Sequence, residues 1–301
     1  MTNRFSGRGW GLLMVVSATI CWATSGLFIN FLVDSTAITP AVLAFWRDLC
    51  VAVTLFLALG VLQPASLRVK RRDLPWLAAM GVLGIGMFHY CWNSSVMTNG
   101  ASLSTIIQSN GPILVAVGAW LLYREPLTWR KWIAILLTLA GTVLIVRTNG
   151  WIQLDLAGPQ LLIAAGVPVF YALYSILGKK VVGDYSPWVI MAYVFAFGSL
   201  ALLPMQWGQS IPWPVPLHAV AAFVGFTVIT TIFGYTLYTA GLRRLQASVA
   251  CIVATSEVLF ASVIAYFLLG ERLDAFQIVG AVLIVSGVVL LSWKRNRPAA
   301  D

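Results

Sequence analysis

The chain has 301 residues, 60% hydrophobic and 10% charged, with a mean hydropathy of +0.89 and a formal net charge of +9. Soluble chains carry about 25% charged residues, so this composition excludes an ordinary water-soluble globule. The positive balance does not point to nucleic acid, because the Lys and Arg residues sit in short segments between apolar runs and form no basic helix.

Ten apolar runs approach the roughly 20 residues that a helix needs to cross a bilayer. They cover 11–33, 39–60, 75–97, 101–122, 130–147, 156–178, 187–204, 217–240, 247–269 and 275–293. The expected fold is therefore an all-α integral membrane protein of ten transmembrane helices, with no soluble domain. The first run lacks a cleavage site, so it reads as a span and not as a signal peptide.

Taken in order, the spans carry polar groups that hydrocarbon does not tolerate without a reason. Span one holds Trp22 and Ser25. Span two holds Arg47 and Asp48, which as neighbours point about 100° apart on a helix and do not simply pair face to face. In span three, His89 shares a face with Trp92 and Asn93, three and four residues on. Span four has Gln108 and Asn110, then Gly111-Pro112, where the proline removes a helix hydrogen bond and frees backbone carbonyls. Pro168, a further candidate helix break, stands in span six with Tyr171 and Tyr174; Tyr235 and Tyr238 stand in span eight. Glu257 lies about ten residues from either end of span nine.

Each of these has two readings. Glu257 either couples transport to a proton gradient or pairs with a substrate ammonium, or else is a neutral acid bonded at a helix interface. Arg47 holds a substrate carboxylate or braces neighbouring helices. His89 relays protons or is a satisfied core histidine. The aromatic residues are packing, or the lining of an amphipathic cavity together with Asn, Gln and Glu. Cys21, Cys50, Cys91 and Cys251 fall inside apolar runs without metal-ligand or CxxC spacing and read as packing residues. No metal or cofactor is expected.

Charge sets the expected orientation. With both termini inside, the inner segments collect Arg4, Arg8, Arg68, Lys70, Arg71, Arg72, Arg124, Arg130, Lys131, Lys179, Lys180, Arg243, Arg244, Lys294, Arg295 and Arg297, which is 16 of the 19 basic residues. Only Arg147 and Arg272 fall outside, a strong positive-inside bias. Trp10, Trp76, Trp129, Trp132, Trp151, Trp207, Trp213 and Trp293 gather at span ends as an interfacial belt.

The chain also repeats itself at an offset of 146 residues, which places Ala101-Ser102 on Ala247-Ser248, Glu125 on Glu271, Leu127 on Leu273 and Gly141 on Gly287. Weaker matches set Trp22-Ala23 near Tyr171-Ala172 and Pro40 near Pro187. Five spans per copy is odd, so the second copy enters the membrane in the opposite sense. The units are 1–150 and 151–301, two inverted five-helix repeats, the architecture on which alternating access rests. The glycines of spans five and ten mark helix-packing surfaces, and leave a monomer or a homodimer open.

The paired turns Tyr123 to Leu127 and Leu269 to Leu273, each followed by a glycine-bearing helix, together with Trp22 and Arg47, resemble the drug/metabolite transporter superfamily, specifically its EamA-type ten-helix carriers. The resemblance covers essentially the whole chain. The second half departs from the first, with Val194 near where Arg47 would recur and Glu257 in the place of Gly111. The resemblance implies a secondary carrier in a bacterial inner membrane, exporting amino acids or related small amphipathic metabolites. Uptake or exchange of an organic anion through Arg47 stays open, and so, further off, does a lipid flippase or a membrane-embedded enzyme. No P-loop, GxSxG, HExxH or duplicated CxxC occurs, so neither an enzyme nor an ATP-driven pump is expected. Asn93-Ser94-Ser95 matches a glycosylation sequon but falls inside a span.

Overall fold

The computed structural model of this protein describes residues 7–146, 159–210, 214–269 and 274–292. Its regular structure there is entirely helical. Hydrocarbon leaves no alternative short of a closed barrel, because backbone groups find no water to bond. The apolar runs appear as α1 (Gly7–Thr36), α2 (Pro40–Leu62), α3 (Leu74–Thr98), α4 (Leu103–Tyr123), α5 (Trp129–Val146), α6 (Leu162–Val181), α7 (Pro187–Gln206), α8 (Leu217–Leu242) and α9 (Ala247–Leu268). Among the described residues these nine are long and apolar enough to span a membrane, and α10 (Ala275–Leu291) is a shorter apolar helix. The chain is thus a multi-pass membrane protein with the expected helix order. Trp10, Trp76, Trp129, Trp132 and Trp207 are exposed at helix ends, as an interfacial belt requires. Trp151, Trp213, Trp293, Arg4, Arg147, Lys294, Arg295, Arg297 and the Glu271–Leu273 turn lie outside the described residues.

Helix packing repeats the symmetry of the sequence. Helices α5 and α10 form the tightest pair, α2 packs on α7, and α1 on α8 has its counterpart in α6 on α3. Each pair joins one half of the chain to the other. The α5–α10 contact depends on glycine. A Cβ on Gly141 would stand 2.6 Å from the Gly280 carbonyl oxygen, and one on Gly280 would stand 2.6 Å from that of Gly141. A Cβ on Gly287 would meet Thr138 and the Ala134 carbonyl. This glycine face is used inside the chain, where small residues let backbones approach closely enough for dispersion contacts to hold them.

Breaks in the helices are also duplicated. Helix α4 is interrupted at Ser109–Asn110, and Gly111 and Pro112 open its second half, Gly111–Tyr123. Proline is favoured at that first turn because its missing N–H has no intrahelical partner to lose. Ser109 Oγ donates to the Ile106 carbonyl at 2.7 Å, and Asn110 Nδ2 donates to that of Ile107 at 3.1 Å. Helix α9 breaks at the equivalent place, Thr255–Ser256, without a proline. There Thr255 Oγ1 donates to the Ile252 carbonyl at 2.6 Å, and Glu257 opens the second half. Helices α3 and α8 carry matching π-helical turns, Val82–Met87 and Phe226–Phe233. Helix α1 is bent between Trp22 and Ser25, where Thr24 Oγ1 donates to the Cys21 carbonyl at 2.7 Å.

Pro168 corrects one expectation: the helix Pro159–Val181 runs through it without a break. Close packing on both sides holds it, since a Cβ on Gly166 would meet Cys91 of α3 and one on Gly111 of α4 would meet Tyr171. The loss of one hydrogen bond is tolerated where neighbouring helices fix the backbone.

Replacing Gly141 with leucine should force α5 and α10 apart and cost about 1–3 kcal/mol. In detergent this should lower the melting temperature, while the same change at Gly60, where a Cβ would meet nothing within 4 Å, should leave it unchanged.

Candidate functional site

The breaks and π turns converge on a small cavity of about 30 Å³ lined by Trp22, Ser25, Arg47, Phe88, His89, Trp92, Gln108, Tyr171, Thr230, Thr231, Tyr235 and Glu257. Seven helices contribute to it, four from the first half of the chain and three from the second. A smaller neighbouring space follows the interrupted helices, with Ser109 and Pro112 of α4 facing Thr255 and Val258 of α9. Glu257 is partly exposed, and the Gln108 amide lies within hydrogen-bonding reach of its carboxylate. The acid therefore comes from the first residue of a helix half and the amide from the last turn before the break in α4, so both exist at this depth because the helices stop there.

One wall is a buried polar chain. His89 Nδ1–H donates to Asp48 Oδ1 at 2.7 Å, which leaves Nε2 to accept the Tyr235 hydroxyl at 2.9 Å. Arg47 Nε stands 3.6 Å from the same Asp48 oxygen, an ion contact too long for a hydrogen bond. Adjacent residues in α2 thus do make ionic contact, although they diverge along the helix. The expectation that neighbours would not simply pair holds for hydrogen bonding only. The guanidinium also lies over the Phe226 ring at 4.7 Å from its centroid, a cation–π contact across to the π turn of α8. Arg47 Nε and Nη2 and Asp48 Oδ2 are buried with no hydrogen-bond partner among the described residues. The site therefore keeps both charged donor and acceptor capacity unspent in a low-dielectric setting, where unpaired polar groups are costly.

The other walls are aromatic. Trp22 meets Tyr235 edge-on at 5.1 Å, and Phe88 lies 5.7 Å from Tyr171 and 6.3 Å from Trp92. A Cβ on Gly234 would stand 2.6 Å from Trp22 Nε1, so that glycine lets the indole seat on α8.

Of the residues singled out by sequence, Trp22, Ser25, Arg47, His89, Trp92, Gln108, Tyr171, Tyr235 and Glu257 meet around this cavity. Four do not line it. Asn93 is buried and donates to the Pro40 carbonyl at 3.3 Å, tying α3 to the start of α2. Tyr174 bonds Thr239 at 2.8 Å and Tyr238 bonds Ser175 at 2.8 Å, behind the cavity wall between α6 and α8. Asn110 is exposed and bonded to its own helix. Sequence reasoning passed over Phe88, Thr230 and Thr231 as lining residues. Phe88 sits directly after one π turn, and the two threonines sit inside the other, which rotates them off the face that a regular helix would give. Asp48 and His89 were both visible as intramembrane ionisable groups, and their pairing was not.

The profile of the EamA-like transporter family matches twice, over residues 9–147 and 159–293. The "Uncharacterized transporter YwfM" of Bacillus subtilis (strain 168) is 26% identical over 281 residues, covering 93% of each chain. The "Uncharacterized inner membrane transporter YicL" of Salmonella typhimurium is 23% identical over 291 residues, covering 96% of this chain and 97% of the other. A crystal structure covering 93% of this chain and 95% of its own aligns with a TM-score of 0.76 at 18% identity, a likeness of fold alone. Both bacterial relatives are named as transporters. With a family match over each half of the sequence, the chain belongs to the EamA-like transporter family, in the drug/metabolite transporter superfamily.

Proposed function

We propose that the protein is a secondary active exporter of small amphipathic metabolites, amino acids among them, working by alternating access in a bacterial inner membrane with both termini in the cytoplasm. Its moving units are residues 1–150 and 151–301, and the central cavity is the substrate site. The observation that carries this reading is the convergence of Glu257, Gln108, His89 and Arg47 with five aromatic rings where α4 and α9 are broken. Ionisable groups at that depth are retained for function, and broken helices are tolerated where they line a cavity.

In this reading Glu257 exchanges a proton, or pairs with a substrate ammonium, and the rings hold the apolar part of the solute. A breach in the symmetry supports alternation. The second half of α4 packs on the first half of α9, Ala247–Ala254, near the ends that carry Arg124 and Arg244. Among the described residues the equivalent pair, residues 101–108 and Glu257–Leu269, packs far less, approaching at Gln108 and Glu257. Two equivalent pairs in unequal states are what a carrier closed toward one side presents.

A second reading, exchange of an organic anion, draws on the unspent donors of Arg47. Arg47→Gln separates the two: loss of carboxylate uptake alone favours the anion, and loss of folding favours a brace.

In proteoliposomes, Glu257→Gln should abolish flux driven by a pH gradient while the protein stays folded; unchanged pH-driven flux would remove Glu257 from coupling. Trp92→Ala or Tyr171→Ala should weaken substrate affinity about tenfold, worth about 1.4 kcal/mol, with expression unchanged, whereas Tyr238→Ala, behind the wall, should act mainly on stability. Cysteines at positions 70 and 209, both exposed, should label from the cytoplasm and from outside respectively; the reverse pattern would overturn the orientation.

A further inference from the structure

At the end of the bundle that carries Arg72, Lys131 and Arg244, the turn after α4 reaches across to the other half of the chain. Glu125 there is buried, with 6% of its surface exposed. Its Oε1 accepts the Ala247 N–H at 2.8 Å, and its Oε2 accepts the Ser248 N–H at 3.4 Å and the Ser248 hydroxyl at 2.5 Å. Ala247 is the first residue of α9, whose first-turn N–H groups have no intrahelical acceptor. The preceding residue, Gln246, supplies no side-chain cap. A carboxylate is the favoured partner for that end, through direct hydrogen bonds and the helix dipole. This cap is therefore lent by a different helix pair, 122 residues away in sequence.

Three further features concentrate on the same contact. Arg124 holds a left-handed backbone, φ 52°, which carries the chain into the turn at Glu125. A non-glycine residue there costs of order 1 kcal/mol or more and persists only where its surroundings impose it. Lys131 Nζ, also buried, stands 3.5 Å from Glu125 Oε2 and has no hydrogen-bond partner among the described residues, so the carboxylate is its compensation. Close by, Lys179 of α6 donates to the Leu242 and Leu245 carbonyls at the end of α8, and the Tyr123 hydroxyl donates to the Ile176 carbonyl at 2.7 Å. All of these bonds run between helices that line or flank the cavity, and all lie on the side where α4 and α9 are packed.

We propose that Glu125 is the latch of this gate: its hydrogen bonds to the N-terminus of α9 hold the two halves together on the basic face, and the cavity opens to that face when they part. The proposal rests on the reading of the chain as an alternating-access carrier. Opening leaves the α9 amides to water instead of to hydrocarbon, since the contact sits at the membrane surface. The break is therefore reversible, where a break at mid-membrane would not be.

The test uses the full chain with Cys21, Cys50, Cys91 and Cys251 replaced and one cysteine introduced by Ser25→Cys, at a buried position that lines the cavity. Inside-out vesicles are exposed to a membrane-impermeant maleimide. Glu125→Gln should raise the labelling rate about tenfold, the equilibrium equivalent of losing one charge-assisted hydrogen bond. Ser248→Ala, which removes only the hydroxyl bond, should raise it by a smaller factor with little effect on melting temperature. Labelling at the parent rate in both variants overturns the latch, and so does a lower melting temperature without faster labelling, which would make Glu125 a structural cap only. Amino-acid flux measured on the same preparations separates the two readings. Faster labelling in a protein that carries no solute upholds the latch and sinks the transport reading.

Discussion

An unpaired backbone carbonyl or amide in hydrocarbon costs several kcal/mol, so a helix in a bilayer breaks only where other groups take up what it releases. Each interruption in this chain meets that condition. Ser109 and Asn110 accompany the break in α4, Thr255 the break in α9, and Thr24 the bend in α1. Residues at the breaks line the cavity and the space beside it. Glu257 is placed in the cavity because it is the first residue after a break, and Gln108 because it comes just before one. The polar centre of the molecule thus follows from where its helices stop.

The same constraint governs the charges. Asp48, His89 and Tyr235 form one chain of hydrogen bonds across α2, α3 and α8, and Arg47 adds its charge from beside Asp48. Breaking such a chain by removing one member leaves an uncompensated buried charge, which is far costlier than the chain is stabilising. This wall is accordingly the rigid one. The opposite wall, where Glu257 meets Gln108 across the two interrupted helices, has fewer fixed partners. The rigid wall spans α2, α3 and α8 and draws on both repeats, so the halves share the charged centre while they differ in how their broken helices pack.

Much of this arrangement was legible in the residues. The ten apolar runs and the belt of tryptophans follow from hydropathy, because the solvent acts on every residue alike. The offset that aligns Glu125 with Glu271 and Gly141 with Gly287 announced two copies, and the packing of α5 on α10 and α2 on α7 bears the symmetry out. The breaks at Asn110 and Ser256 fall where the alignment set them opposite each other. Pro168 misled, because a proline signals a break only if neighbouring helices do not hold the backbone. Tyr174 and Tyr238 misled for a related reason: helical spacing puts them near Tyr171 and Tyr235, and only the seating of α6 against α8 turns their hydroxyls away from the cavity.

By itself, then, the sequence determined the solvent, the number and order of the helices, the duplication, and the short list of intramembrane acids and bases. These depend on composition and local period, which any residue's neighbours in the chain reveal. The tertiary structure decided which of the listed residues meet, that His89 belongs to Asp48 and Tyr235, and that Glu125 caps a helix 122 residues away. It also decided that one end of the bundle is packed far more than its equivalent. Such facts depend on how two similar halves are set against each other, and the repeat alone leaves both of its equivalent settings equally open.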